Sequence, residues 1–179
     1  MDTSSECCVV FLEVERFDRH GAFGRSAVCT WAAIEAAMFG MAGASWIEGG
    51  KRLLKEGLIS VQTLRQITVL WHFGKLIANT DMHEGNLAFR PLKNKMMFEL
   101  APAYDMLPMH YAPLRGVELP ARTFTPQLPL PSELEAWVIA AKAAEKFWQR
   151  AAGDQRISAD FRAICANNQG LLVKLQQDF

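Results

Sequence analysis

The 179-residue chain has no excess of charge, since 19 lysines and arginines balance 19 aspartates and glutamates. That balance gives no electrostatic case for nucleic acid or for a membrane surface. No apolar run approaches the length of a membrane helix. Met1 to Glu6 is polar and acidic rather than basic and then apolar, so it does not read as a signal peptide, and a cytoplasmic location is expected. Cysteine is sparse: Cys7, Cys8, Cys29 and Cys165 form no C-x-x-C pair, and reduced, buried thiols are expected. Phosphate-binding glycine loops are missing as well. Gly21 and Gly24 lack the rest of G-x-G-x-x-G, and Gly49-Gly50-Lys51-Arg52 lacks the earlier glycine and the Ser/Thr of a P-loop, so both read as turns. The four histidines form no metal-spaced cluster, which leaves a metallohydrolase reading of Asp81-x-His83 without its further ligands.

What is present is an ordinary globular composition, 50% hydrophobic and 21% charged, at a length that suits one domain. Residues 7–17 are β-branched and aromatic and read as a strand. Ser26 to Met41 reads as a helix capped by Ser26 or Thr30, residues 40–50 as a loop, and about 51–56 as a short helix ending at Gly57. Ser60 caps a helix running to about Ala78, with Leu64, Ile67, Trp71, Gly74 and Ala78 on its core stripe. His72 falls one residue off that stripe and reads as a partly exposed surface histidine without a partner. Leu87–Arg90 and Lys95–Leu100 read as a hairpin. Seven of the eight prolines lie in 101–131, so that segment reads as a long ordered loop, with Thr123 and Thr125 as candidate modification sites. Ser132 with Glu135 looks like a capping box for a helix to about Arg150, with Leu134, Trp137, Val138, Ala141, Phe147 and Trp148 turned inward. A last helix is capped by Ser158 or Asp160.

The chemistry gathers around Asn79-Thr80-Asp81-Met82-His83-Glu84-Gly85-Asn86 and Leu100-Ala101-Pro102-Ala103-Tyr104-Asp105. Asp81, His83 and Asn86 stand at offsets 0, +2 and +5, and Asp-x-x-x-x-Asn is the spacing of a kinase catalytic loop. An antiparallel hairpin between the two segments would bring Asp105 back to Asp81 and Asn86. Transfer of a phosphoryl group needs an acceptor for the attacking hydroxyl's proton and hard oxygen ligands for Mg²⁺. Asp81 suits the first role, and Asn86 and Asp105 the second. A single loop aspartate usually caps a turn; three residues at these offsets plus Tyr104-Asp105 are more specific.

These two motifs resemble the C-terminal lobe of HipA-type serine/threonine kinases, the toxins of bacterial toxin–antitoxin pairs, with Tyr104-Asp105-Met106-Leu107-Pro108-Met109 nearest a YjjJ-like branch. Val14-Glu15-Arg16-Phe17-Asp18-Arg19 resembles the hinge between that family's two lobes. The resemblance covers about residues 9–110 well and the tail loosely. It implies a mainly α (α+β) kinase-like lobe over 1–179, with strand and hinge in 1–17, a catalytic core with an activation-like loop in 26–131, and bracing helices in 132–179. It implies ATP and Mg²⁺ as cofactors, Asp81 as base, and Asn86 and Asp105 on the metal. Glu15, Phe17, His83, Asn86, Tyr104 and Asp105 would face the nucleotide and its metal. The acceptor would be a protein, an aminoacyl-tRNA synthetase in the family pattern, and an antitoxin or an N-lobe chain a further partner.

A kinase also needs a strand lysine and a loop over the phosphates, and the few residues ahead of Val9 leave no room for them. The expectation is therefore a lobe that is weakly active or inactive alone, or a non-catalytic binding module. Aminoglycoside and choline phosphotransferases share Asp-x-His-x-x-Asn, but they carry His-Gly before the aspartate, where Asn79-Thr80 stands here.

Overall fold

The computed structural model describes residues 13–40, 43–93, 95–116 and 119–177. Among the described residues, five α-helices and two small antiparallel sheets make an α+β fold. Of the strand expected over 7–17, residues 7–12 lie outside the described residues, and 13–16 are irregular. Arg16 folds its guanidinium onto Asp18, with contacts of 2.9 and 2.7 Å. The chain then turns into a two-stranded ribbon, β1 (Arg19–His20) against β2 (Gly24–Arg25).

Helix α1 (Trp31–Met38) is shorter than expected at its start, because Cys29-Thr30 forms a strand, β3, instead of helix. Thr30 is the cap, accepting from Ala33 N at 3.2 Å. The next helix corrects the sequence reading. Helix α2 spans Trp46–Lys55 and contains both Gly49 and Gly50, which were expected in a turn. The missed signal is Ser45-x-x-Glu48: the serine hydroxyl accepts from Glu48 N at 3.2 Å and Glu48 Oε2 accepts from Ser45 N at 3.0 Å. A Cβ at Gly49 would lie 2.6 Å from the Trp31 indole, so glycine serves helix packing there rather than a turn.

Helix α3 (Val61–Leu76) is capped by Ser60 as expected. Beyond it, Ala78 N donates to Lys75 O (3.2 Å) and Asn79 N to Gly74 O (2.9 Å), while Ala78 takes a left-handed φ of 60°. This is the paired termination that usually places glycine where Ala78 stands. His72 overturns its expectation: it is buried, and its Nε2 lies 3.2 Å from Glu133 Oε2, too bent for a good hydrogen bond. Burial outweighs that carboxylate and holds the imidazole pKa below its usual value.

Strands β4 (Ala88–Pro91) and β5 (Phe98–Leu100) form the expected hairpin, with Phe89 opposite Leu100. Strand β3 adds to the other edge of β4, giving the order β3-β4-β5. The described residues of 101–131 are irregular apart from a 3₁₀ turn at Met109–Tyr111, an isolated bridge at Leu114 and the start of the turn Pro131–Glu133. Helix α4 (Leu134–Gly153) begins after that turn, with Glu133 as its cap residue and no capping box. Glu133 is drawn to His72 and Glu135 to Arg65, both on α3. Leu134 faces outward, against expectation. Helix α5 (Ala159–Gln176) is capped by Ser158.

Two cores result. One joins α4 and α5 to the end of α3 through Trp137, Trp148, Leu76 and Leu172; the other joins α1, α2 and the hairpin through Trp31, Trp46, Ile67 and Phe89. Helix α3 contributes to both, so its C-terminal end, where the polar loop begins, is held from two sides. Trp148 adds a specific bond there, its Nε1 donating to Leu76 O at 3.0 Å.

Candidate active site

The site is built from the loop after α3 and the segment after β5. The hairpin brings them together: Ala101 N donates to Ala88 O at 2.9 Å, so Asn86 lies just before one side of the ladder and Tyr104-Asp105 just after the other. The buried Asn79 ties the two. Its Oδ1 accepts from Asp81 N at 2.9 Å and its Nδ2 donates to Asp105 O at 3.3 Å. A second tie is Tyr104, whose hydroxyl donates to Gly85 O at 2.5 Å. A third is steric. Met82 from one segment and Met106 from the other both cover Gly74, where a Cβ would sit 2.3 Å from Met82 Sδ and 3.2 Å from Met106 Cε.

Asp81 and Asp105 are both exposed, and neither carboxylate accepts a hydrogen bond among the described residues. Asp105 has a left-handed φ of 54°, so both non-glycine residues with positive φ among the described residues, Ala78 and Asp105, flank this site. Local strain of this kind gathers where surrounding structure dictates a side chain's aim. Asn86 is buried and donates through Nδ2 to Asp81 O at 2.9 Å, which leaves its carbonyl oxygen without a partner among the described residues. His83 caps the 3₁₀ turn Glu84–Asn86, its Nδ1 accepting from Gly85 N at 3.0 Å. That bond requires Nδ1 to lack a proton, so a neutral His83 carries its hydrogen on Nε2. Trp46 Nε1 donates to His83 O at 3.0 Å and Gly43 N to Glu84 Oε1 at 2.6 Å, fixing the loop from α2 and the residues before it.

Phe17 joins the group and Glu15 does not. The Phe17 ring lies 6.3 Å from that of Tyr104, and Arg90 holds it, donating from Nη2 to Phe17 O at 3.2 Å with its guanidinium 5.2 Å from the ring centre. Arg16, Phe17, Asp18, Val28, Ala88 and Tyr104 line a cleft of about 430 Å³. Burial, with the Asp105 carboxylate beside it, pushes the Tyr104 phenol pKa up, so it stays a donor at neutral pH. Glu15 is exposed, and no hydrogen bond or ion pair ties it to this group among the described residues.

Among the described residues no three His, Cys, Asp or Glu side chains cluster as a metal cage. The donors present suit a different ion. One free carboxylate and one free amide oxygen, at Asp105 and Asn86, are hard ligands of the kind Mg²⁺ takes from protein when phosphates and water supply the rest. Asn79, Arg90, Gly74 and Trp46 were not singled out as functional from the sequence. Asn79 alone carried a local signal, being two residues before Asp81, where an asparagine side chain can bond forward to the backbone.

The family model of the HipA-like C-terminal domain matches residues 3–167, and the chain belongs to that family. It is 41% identical over 155 residues to Toxin YjjJ of Escherichia coli (strain K12), an alignment covering 87% of this chain and 34% of that protein. The chain thus corresponds to the HipA-like C-terminal region of such a toxin and spans about a third of that relative's length. Among the described residues no helix is long and apolar enough to cross a membrane.

Proposed function

We propose that this chain is the catalytic C-terminal region of a HipA-like serine/threonine kinase. It would bind ATP with Mg²⁺, transfer the γ-phosphoryl group to a protein hydroxyl in the cytoplasm, and belong to a toxin restrained by an antitoxin. The single observation that carries the reading is the Asn79 clamp, which couples the backbone of Asp81 to that of Asp105 across two separate segments. The clamp fixes the backbones that carry Asp81 and Asp105 relative to each other, which is what a site assembled from two segments requires.

In this reading Asp81 accepts the proton of the attacking hydroxyl, and the Nε2–H of His83 donates to a phosphoryl oxygen. Asn86 Oδ1 and the Asp105 carboxylate hold the cation, which when bound neutralises charge on the phosphates. The Phe17–Tyr104 cleft takes the adenine, its aromatic and aliphatic walls covering a flat, apolar ring. Catalysis is then positioning plus charge neutralisation, which suits a site clamped by backbone bonds.

Nucleotide binding to the chain, followed with a fluorescent ATP analogue with and without Mg²⁺, tests this. Binding should require the metal, weaken about tenfold or more in Asp105→Asn, and persist in Asp81→Asn. Transfer of ³²P from ATP to a protein acceptor, expected to be weak in the chain alone, should vanish in Asp81→Asn. Binding indifferent to Mg²⁺ and to Asp105 would overturn the proposal.

A further inference from the structure

A second cleft, of about 280 Å³, opens between the end of α3 and the long loop, lined by Lys75, Asn79, Thr80, His110, Thr123 and Thr125 among others. Among the described residues its lining contains no carboxylate, and its only ionisable side chains are Lys75 and His110. Lys75 makes no ion pair among the described residues. Its ammonium instead rests over the Trp71 ring, 4.6 Å from the centre. Burial without an opposite charge pushes the Lys75 pKa down, so an arriving anion would relieve a real cost. The cleft is also held in shape. His110 N donates to Ala78 O at 2.9 Å, His110 Nε2 lies 3.2 Å from Thr123 O, and Arg122 Nη1 donates to His110 O at 2.6 Å. Phe124, between the two threonines, is buried in the core, and Trp137 Nε1 donates to Gln127 O at 3.0 Å.

One under-solvated cation, three hydroxyls and no competing acid form the chemistry that receives a tetrahedral oxyanion. We infer that this cleft is a receptor for a phosphomonoester, with Lys75 as its cation. The phosphate has two sources: a phosphorylated residue of another protein, or Thr123 or Thr125 of this chain, both exposed in the lining. Only the second source rests on the kinase reading. There the threonine oxygen bonds to the γ-phosphorus of a nucleoside triphosphate and the β–γ bridging bond breaks. The diphosphate leaves, and the hydroxyl proton passes to Asp81.

Phosphothreonine and inorganic phosphate, titrated into the ¹⁵N-labelled chain, test the receptor. The amides of Thr80, Thr123 and Thr125 should shift saturably. Affinity should fall about tenfold or more in Lys75→Gln and return in Lys75→Arg, with thermal melts confirming that both variants fold. Shifts that do not saturate, or equal affinity in Lys75→Gln, would overturn it. Phosphothreonine installed during translation at 123 or 125, which needs no kinase activity, separates the sources. Loss of response to added phosphate supports the chain's own threonine; a full response overturns that source. A chain that binds phosphate through Lys75 yet shows no Mg-dependent ATP binding upholds the receptor and refutes the kinase reading.

Discussion

Replacing Asn79 by alanine should loosen both halves of the site at once. The side chain is 2% exposed and makes two bonds to backbone, one at 2.9 Å and one at 3.3 Å. A net hydrogen bond contributes about 0.5–1.5 kcal/mol, and an orphaned backbone group costs more where water cannot reach it. Asp81 and Asp105 are at the surface, so water replaces part of the loss, and the 3.3 Å bond is the weaker. The expected destabilisation is about 2 kcal/mol. At a urea dependence of about 2 kcal/mol/M that moves the unfolding midpoint by about 1 M. Mg-dependent ATP binding should fall further than stability explains, since the ligand must then reorder two loops. Asn79→Asp keeps the acceptor for Asp81 N but sets a carboxylate against Asp105 O, so it should be at least as damaging. A midpoint shift below about 0.3 M, or unchanged nucleotide affinity in a folded Asn79→Ala chain, would refute the clamp.

Gly74→Ala forces Met82 and Met106 off the helix; because thioether ends are flexible, melts should fall by only about 1–2 kcal/mol, while Mg·ATP affinity drops. Trp148→Phe removes the bond to Leu76 O and part of a fully buried ring, which should cost about 2–3 kcal/mol by urea unfolding; a change under about 0.5 kcal/mol would place the end of α3 under other control. His72 gives a pH signature. Its folded pKa lies below the ordinary 6.5, so the unfolded chain binds the extra proton more readily. Its contribution is present above about pH 6.5 and is lost as pH falls from there through the folded value. Urea midpoints between pH 7.5 and 5 should show that loss, and His72→Gln should flatten it.

Much of this architecture was legible because it rests on local patterns. Ser60, Ser158 and Thr30 cap helices as their side chains dictate, and the Leu87–Leu100 hairpin, which carries the site, follows from alternation and turn residues. The errors have physical causes. Gly49 and Gly50 suggest a turn until Trp31 is seen packed against the first, a contact that no local pattern reveals. The Ser132 capping box failed because Glu133 and Glu135 found partners on α3, dozens of residues away. His72 looked exposed because its partner Glu133 lies across the α3–α4 interface. At the site, Asp81, Asn86 and Asp105 stood out by spacing. The Asn79 clamp and the Arg90 hold on Phe17 are long-range bonds that spacing does not encode.

The central claim is that Asn86 and Asp105 hold one divalent ion beside Asp81. A crystal structure of the chain with Mg²⁺ and a non-hydrolysable ATP analogue tests it most directly, with Mn²⁺ exchanged in for anomalous scattering. The account predicts a metal about 2.0–2.1 Å from Asn86 Oδ1 and an Asp105 carboxylate oxygen, with the terminal phosphate facing Asp81. A metal bound elsewhere, or carboxylates at 81 and 105 too far apart to share the nucleotide's phosphates and their ion, would contradict it.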